Sequence, residues 1–247
     1  SEINTPSELT MYEAERQSSF FTTGGLAAVH VEDRSKQGIW NGFKNKETYA
    51  TSGPQILLWF DLITTSETFP MGSKVNLEKN PVFEVKAVGS FKQKPGCPDF
   101  GLSANDNARL KKICGGECFN PSNERRNITR IEVIKITPQN YNDEPVDELI
   151  EDTWKVFDCK PSQDGCKIRF SDREFQRNGR DSVYYVRAIE EPSLRVNGDN
   201  LRCEYDDQGN CIKVNICHGS YLTDKKDDCV SLSEERAWSS PIYVNKI

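Results

Sequence analysis

Hydrophobic and polar residues alternate with a period of two over most of the chain, and this pattern predicts a protein built mainly of β-strands. The clearest single strands are expected at 82–91, 128–137, 183–189 and 237–244. Two further pairs flank turn-forming loops and predict hairpins, namely 154–159 with 166–170 and the two halves of 203–214. Several strands separated by turn signals, with few helices, favour an antiparallel β-sandwich.

The segment 24–62 has a different pattern, because a helical period separates two apolar runs. Leu26 to Val31 is typical of a short buried strand, and Gln55 to Leu62 is a strongly apolar strand. The helix between them, which Asp33 or Ser35 can cap, is expected to end near residue 46. Its apolar residues share one face: Ile39, Trp40 and Phe43. The segment therefore predicts a β-α-β unit.

A change of composition near residue 63 suggests how the chain is divided. Residues 63–80 are rich in Thr, Ser, Gly and Pro and are expected to be a linker. Residues 1–23 are polar and predict an N-terminal arm, and 81–247 predict a β-rich C-terminal domain. The expected fold class is α+β, mostly β.

Charge and hydropathy exclude two classes of partner. The net charge is −6 and the charges are interspersed, whereas a nucleic-acid-binding protein needs a basic face to neutralise phosphates. The sequence has no run of about 18 apolar residues, so we expect no membrane span. The sequence leaves open a protein partner, a glycan and a homo-oligomer.

The cysteines indicate disulfides and therefore an oxidising compartment. The sequence contains no C-x-x-C pair and no paired histidine spacing, which are the patterns typical of a zinc site. Cysteines at the two ends of a predicted hairpin can satisfy the geometry of a disulfide, which predicts Cys159–Cys166 and Cys203–Cys211. The remaining candidates are Cys217 with Cys229, and two of Cys97, Cys114 and Cys118. Nine cysteines leave one thiol without a partner in this chain.

The candidate chemistry is sparse, since the chain has only two histidines and no G-x-S-x-G nucleophile motif. His218 is expected in a surface loop. His30 lies at the end of a predicted strand, two residues before Glu32 and just before a helix. Because ligands bind at the carboxyl ends of strands in α/β units, His30 is a candidate site residue. Local sequence leaves a purely structural role for His30 open.

Several long motifs resemble the C-terminal part of a bacterial family of unknown function, DUF3604. They are Thr22–Glu32, Ile39-Trp40, Glu47–Pro54, Ile56–Asp61, Gly89–Asp99, Cys114–Cys118 and Arg236–Ile242. That family is similar to the PHP (polymerase and histidinol phosphatase) metal-dependent hydrolases, and its members are commonly exported. The resemblance implies a bacterial protein that is periplasmic or secreted, with any export signal outside this chain.

The resemblance also implies that the metal-binding segment and the β-rich domain are separate parts of the protein. Residues 24–62 would be the last β-α-β piece of a PHP-like barrel, followed by a disulfide-stapled domain similar to an antiparallel β-sandwich. Divalent metals would be held by an N-terminal barrel segment that this chain lacks, because it contains neither an H-x-H nor a D-x-H motif. His30 and Glu32 would line the mouth of the barrel, and the upstream segment would hold the partner of the odd cysteine.

Two functions follow from this reasoning. In the first, the chain is the C-terminal segment of an exported metal-dependent (phospho)ester hydrolase, holds no metal or other cofactor itself, and is inactive alone. In the second, it is a secreted, non-catalytic β-sandwich module that binds a partner or has a structural role. In the second case, the apolar strands of 24–62 would be buried entirely within the chain.

Overall fold

The structure, a computed structural model, describes residues 24–104, 106, 108, 109, 119–196, 203–214 and 230–247. The predicted N-terminal arm, and the cysteines at 114, 118, 217 and 229, lie outside this part of the chain. The described part is mostly β, as the alternating pattern predicts.

In chain order the strands are β1 (Leu26–Val29), β2 (Thr48–Thr51), β3 (Leu57–Ile63), β4 (Thr68–Pro70), β5 (Lys74–Leu77), β6 (Val82–Val88), β7 (Phe91–Pro95), β8 (Phe119–Arg125), β9 (Ile128–Ile136), β10 (Ile150–Asp158), β11 (Cys166–Ser171), β12 (Ser182–Glu190), β13 (Ser193–Val196), β14 (Cys203–Tyr205), β15 (Cys211–Val214), β16 (Val230–Ser233), β17 (Arg236–Ser239) and β18 (Ile242–Lys246). The helices of the described part are α1 (Lys36–Lys44), α2 (Asp99–Ala104), α3 (Phe175–Asn178) and a 3-10 turn at Val146–Glu148.

The chain divides into two compact units, and the larger one comprises Gly25–Ser90, Arg125–Glu191 and Glu235–Ile247. It contains an eight-stranded sheet in which β12 is central, pairing with β9 along one edge and with β17 and β18 along the other. From there the sheet continues through β9 to β10, through β17 to β2 and β1, and through β18 to β5. All these pairs are antiparallel except β18 with β5.

A four-stranded antiparallel sheet, in the order β11-β6-β3-β4, covers one face of the first sheet. The two inner faces share one hydrophobic core, in which the ring centroids of Phe83 and Tyr184 lie 4.7 Å apart. In β3 the buried residues alternate with partly exposed ones, and Leu58, Phe60 and Leu62 lie in that core with no exposed surface. The prediction of a mostly β fold with several antiparallel sheets is therefore confirmed.

The segment 24–62 differs from the predicted β-α-β unit. Its two outer strands lie in different sheets, since β1 belongs to the eight-stranded sheet and β3 to the four-stranded one. The strand β2, which the sequence pattern does not separate from the helix end, returns antiparallel to β1. The structure therefore has no parallel crossover between β1 and β3. This arrangement does not show a piece of a barrel.

The predicted linker at 63–80 also differs from the structure. Two short strands form there: β4 pairs with β3, and β5 pairs with β18. Met71 and Val75 belong to the same core as Phe60 before the segment and Phe83 after it. Polar composition indicates a linker, but β4 has no fully buried side chain and β5 has only Val75, so both strands carry little hydrophobic signal.

The predicted disulfide between Cys159 and Cys166 is confirmed, with Cα atoms 5.7 Å apart. Its context differs from the prediction, because β10 and β11 do not form a hairpin. They belong to the two different sheets, so the disulfide connects the sheets across the side of the sandwich.

The second unit includes Phe91–Glu124 and Pro192–Glu234, as far as these are described. It contains three strand pairs: β7 with β8, β13 with β16, and the predicted hairpin β14–β15. Cys97 and Cys211 are both disulfide-bonded. The hairpin register places Cys203 opposite Val214 rather than opposite Cys211, and the pairing Cys203–Cys211 stays a prediction.

A disulfide is typical of proteins from oxidising compartments, which agrees with the expected site of folding. Within the part of the chain that the structure describes, no helix is both long and apolar enough to cross a membrane.

Candidate functional site

A cleft of about 600 Å³ opens in the larger unit where β1 ends. Both residues that the sequence singled out, His30 and Glu32, line it. Helix α1 forms one wall, and Trp59 and Asp61 of β3 form the opposite one. The cleft lies at the carboxyl end of a strand, as predicted, although the surrounding strands are antiparallel.

Contacts on several sides fix the His30 side chain in the cleft. Its backbone N–H donates to the Glu47 carbonyl at 2.8 Å, and its ring lies 5.4 Å from the Tyr49 ring and 5.7 Å from the Trp59 ring. The ring Nε2 lies 2.8 Å from the Leu58 carbonyl oxygen. A carbonyl oxygen can only accept, so Nε2 carries a proton and donates it in this hydrogen bond.

Helix α1 begins where the sequence predicts, because its first turn is capped by short polar side chains. The Ser35 hydroxyl accepts from the Gly38 N–H at 3.0 Å, and the Asp33 carboxylate accepts from the Ser35 N–H at 2.7 Å. Hydrogen bonds from Ser35 lower the pKa of the Asp33 carboxyl below its ordinary value. Asp33 therefore faces the cleft as a carboxylate whose oxygen is already engaged.

Gly42 sets the distance between α1 and β1. A Cβ atom at this position would lie 2.5 Å from Val29 Cγ2 and 2.7 Å from the His30 carbonyl oxygen. Only glycine allows the helix to approach the strand this closely. The width of the cleft thus depends on a backbone contact beside His30.

Asp61 and Trp59 belong to the outer face of the four-stranded sheet. Asp61 lies directly opposite Glu84 of β6. Burial and the Glu84 charge raise the pKa of the Asp61 carboxyl, against the opposing effects of His30 and Lys167. Lys167 forms an ion pair with Glu84 at 2.8 Å. A carboxyl group with a raised pKa in a cleft is a candidate for proton transfer.

The cleft is lined by acidic side chains. Its lining includes four carboxylates and no lysine or arginine. The carboxylates are Glu32, Asp33, Glu47 and Asp61. Such a cleft favours positively charged or proton-donating groups and disfavours a bare phosphate.

The described residues do not form a metal site. No group of three or more His, Cys, Asp or Glu side chains converges among them. His30 uses Nε2 on the Leu58 carbonyl, and Asp33 is turned towards the start of α1. The donor set that a hydrolytic metal centre requires is therefore not provided by this part of the chain.

The outer surface beside the cleft is apolar. Ile39, Trp40 and Phe43 share one face of α1 and are 38%, 64% and 51% exposed. Strand β1 is the last strand of its sheet, and Leu26 on it is 42% exposed. Exposed apolar side chains on one helix face, near a strand that is the last of its sheet among the described residues, are typical of an interaction surface.

Sequence reasoning missed Trp59 and Asp61. The apolar pattern of Gln55 to Leu62 predicts a buried strand, although Asp61 interrupts its apolar character. In the structure its alternate residues point away from the core, and the Lys86 ammonium lies 5.2 Å from the centroid of the Trp59 indole. The polar residue inside the apolar strand was the signal that could have identified this face.

Comparison with known families adds one match. A family of proteins of unknown function, DUF3604, matches residues 2–92. The chain is similar to DUF3604 over this segment. The resemblance that the motifs indicated is thereby confirmed, and the residues that line the cleft all lie within the DUF3604 segment. No curated protein and no solved structure matches the chain.

Proposed function

We propose that this chain is the C-terminal segment of an exported, metal-dependent (phospho)ester hydrolase of the PHP type, and that it is inactive alone. The observation that carries the proposal is the cleft at the end of β1. It brings together His30, Glu32 and Asp61 inside the segment that matches DUF3604. These side chains can orient a substrate or move a proton, and no group of three or more His, Cys, Asp or Glu side chains converges on a metal site among the described residues.

The exposed face of α1 and the edge of β1 give a second line of support. Both features lie next to the cleft. A further segment that packs there would cover Trp40 and Phe43, pair with β1, and bring its own side chains up to His30. In this proposal the metal ions are held by that segment, in the same or another chain, and the sandwich shapes one side of the site.

The first test uses the native polypeptide purified from its source. Its intact mass, denatured but not reduced, should lie far above 28.1 kDa. It should hydrolyse bis(4-nitrophenyl) phosphate in the presence of Mn²⁺, Mg²⁺ or Zn²⁺ and lose this activity in EDTA. The recombinant 247-residue chain should show no such activity. Metal-dependent hydrolysis by that chain which survives His30→Ala would contradict the proposal.

A substitution in the native polypeptide tests the role of the cleft. Glu32→Gln should lower kcat/KM by about tenfold or more, the usual size of an acid–base or positioning contribution. Glu78→Gln is the matched control, since Glu78 is exposed in the same segment and does not line the cleft. Equal activities of the two variants would separate the cleft from catalysis.

One observation favours a different function, that of a secreted, non-catalytic β-sandwich module. The inner residues of β3 have no exposed surface, so the sandwich core is complete without a neighbour. A native mass near 28.1 kDa, reduced by about 2 Da for each disulfide, together with no hydrolysis, would favour this function over the first.

A further inference from the structure

A second cavity lies on the open side of the sandwich, on residues that the proposed function does not use. It occupies about 710 Å³ and is bordered by β10 and β11. These are the last strands of the eight-stranded and the four-stranded sheet. The groove is therefore flanked by two sheet edges, and the Cys159–Cys166 disulfide connects the strands that border it.

The floor of the groove is apolar. Val82, Phe157 and Phe170 line it. The two rings lie 5.5 Å apart, with Phe170 buried and Phe157 half-buried. A flat apolar body can lie against such a floor and remove apolar surface from water.

The rim of the groove is cationic. Lys155, Arg169 and Arg173 line it, and no carboxylate does. Lys155 is held in place, because its ammonium lies 4.3 Å from the centroid of the Trp154 ring and 3.2 Å from the Ser171 carbonyl oxygen. An ammonium has three N–H donors, so this arrangement leaves donors for a ligand.

The neighbouring carboxylates are paired with other cations, including Glu84, which lies directly opposite Arg169 in the strand register. Glu84 is paired with Lys167 at 2.8 Å, Asp172 with Lys135 at 2.8 Å, and Glu174 with Arg177. Among the described residues, none of the three rim cations has a carboxylate oxygen within 4.0 Å. Three unpaired cations around one groove concentrate positive potential there, in a protein whose net charge is −6.

We propose that this groove is a binding site for a small organic anion, in which a phosphate, sulfate or carboxylate group is attached to a flat apolar body such as an aromatic ring. The anionic group meets Lys155 and the fork-shaped guanidinium of Arg169, and the ring lies over Phe157. Guanidinium groups bind such oxyanions through two parallel hydrogen bonds. The volume is in the range that small-molecule sites occupy.

The test is isothermal titration of the 247-residue chain with phenyl phosphate at low salt. Inorganic phosphate supplies the anion alone, and benzyl alcohol supplies the ring alone. Phenyl phosphate should bind at least about tenfold more tightly than either, because only it uses both the rim and the floor. No binding at about 10 mM phenyl phosphate, or equal affinity for inorganic phosphate, would overturn the proposal.

Three variants locate the binding. Arg169→Gln should weaken the binding of phenyl phosphate by about tenfold or more, the size expected for a charge-assisted hydrogen bond. Lys155→Gln should have a similar effect, with circular dichroism to verify that it folds. Lys167→Gln is the matched control, since Lys167 is on the same strand but outside the groove and should change affinity less than about twofold. An equal loss in Lys167→Gln would show that only net charge matters and would reject the site.

Discussion

At the scale of single residues, one carboxyl group of the cleft, that of Asp61, has a neighbour that is unfavourable for the fold. Asp61 and Glu84 lie directly opposite each other on neighbouring strands. Like charges in this position destabilise a sheet, and burial adds to the effect on Asp61, whose pKa is raised. Groups kept at a cost in stability are typical of functional sites, which agrees with a role for Asp61 in the cleft.

Asp61→Asn should therefore stabilise the larger unit. A raised pKa means that the folded state holds its proton more tightly, so this residue lowers stability once the pH rises through its folded pKa. We expect a gain of about 0.2–1 kcal/mol in the free energy of unfolding at pH 7, measured in urea. The gain should shrink as the pH falls towards 3, where both states are protonated. Asp164→Asn, in an exposed loop, should change stability by less than about 0.5 kcal/mol. A loss of stability in Asp61→Asn would contradict this account.

A buried ion pair in the core has the opposite effect on the free energy of unfolding: removing one partner is expected to lower it. The Lys135 ammonium lies 2.8 Å from Asp172, and the Tyr184 hydroxyl donates to the same carboxylate at 2.7 Å. Burial alone would raise the pKa of Asp172, but hydrogen bonds from Lys135, Tyr184 and the Glu174 N–H outweigh it and lower that pKa. Burial and the Asp172 carboxylate raise the pKa of Tyr184, which stays a donor.

Removing one partner of this pair should be costly. Asp172→Asn leaves the buried Lys135 charge with only the more distant, exposed Glu151 carboxylate at 3.9 Å, and we expect the free energy of unfolding at pH 7 to fall by about 3–5 kcal/mol. Lys167→Met, which breaks an exposed pair with Glu84, should cost at most about 1 kcal/mol. Similar losses in the two variants would mean that burial does not determine the strength of the pair.

The pH dependence separates the Asp172 charge from a packing effect. Because the folded pKa of Asp172 is lowered, its contribution is complete above the unfolded pKa, near 3.9, and is lost as the pH falls through the folded value. The difference between the wild type and Asp172→Asn should therefore narrow as the pH is lowered below about 4. A difference that stays constant over this range would indicate packing alone.

At the scale of elements, the strands could be predicted from the sequence, whereas their partners could not. Alternation depends on which face of a strand is buried, and this is a local property. Sheet membership depends on contacts between distant segments, which is why β1 and β3 were expected in one sheet and lie in two. The same limit explains why β10 and β11 were expected as a hairpin.

The Cys159–Cys166 disulfide joins elements that have no ladder of hydrogen bonds between them. Replacing both cysteines by alanine should lower the free energy of unfolding by about 2–3 kcal/mol, because the cross-link restricts the unfolded chain over a short loop. The measurement is urea unfolding without reductant. The loop is also held by Gly165, where φ is 88° and a Cβ atom would lie 2.1 Å from the Ala87 carbonyl oxygen. A change below about 0.5 kcal/mol would show that the loop is already fixed by such contacts.

At the scale of the whole molecule, the sequence located part of the candidate site. The place of His30 after a strand and the family resemblance for Glu32 predict two of its residues, and both line the cleft. Trp59 and Asp61 complete it from another sheet, so local sequence did not associate them with His30. The cationic groove was not predicted at all, since Lys155 and Arg169 come from two strands and come together only in the folded unit.

The exposed face of α1 determines how the isolated chain should behave in solution. If Trp40 and Phe43 are covered by another segment in the native protein, the 247-residue chain exposes them and should self-associate through them. Light scattering after size exclusion should then give a mass above 28.1 kDa at about 100 µM, and Trp40→Glu with Phe43→Lys should restore the monomer at unchanged net charge. Leu194→Glu with Ile212→Lys is the matched control, because both residues are 65% exposed elsewhere and the pair should leave association unchanged. A wild-type chain that is monomeric at this concentration would mean that the face needs no cover, and the stand-alone binding module would then be the better account.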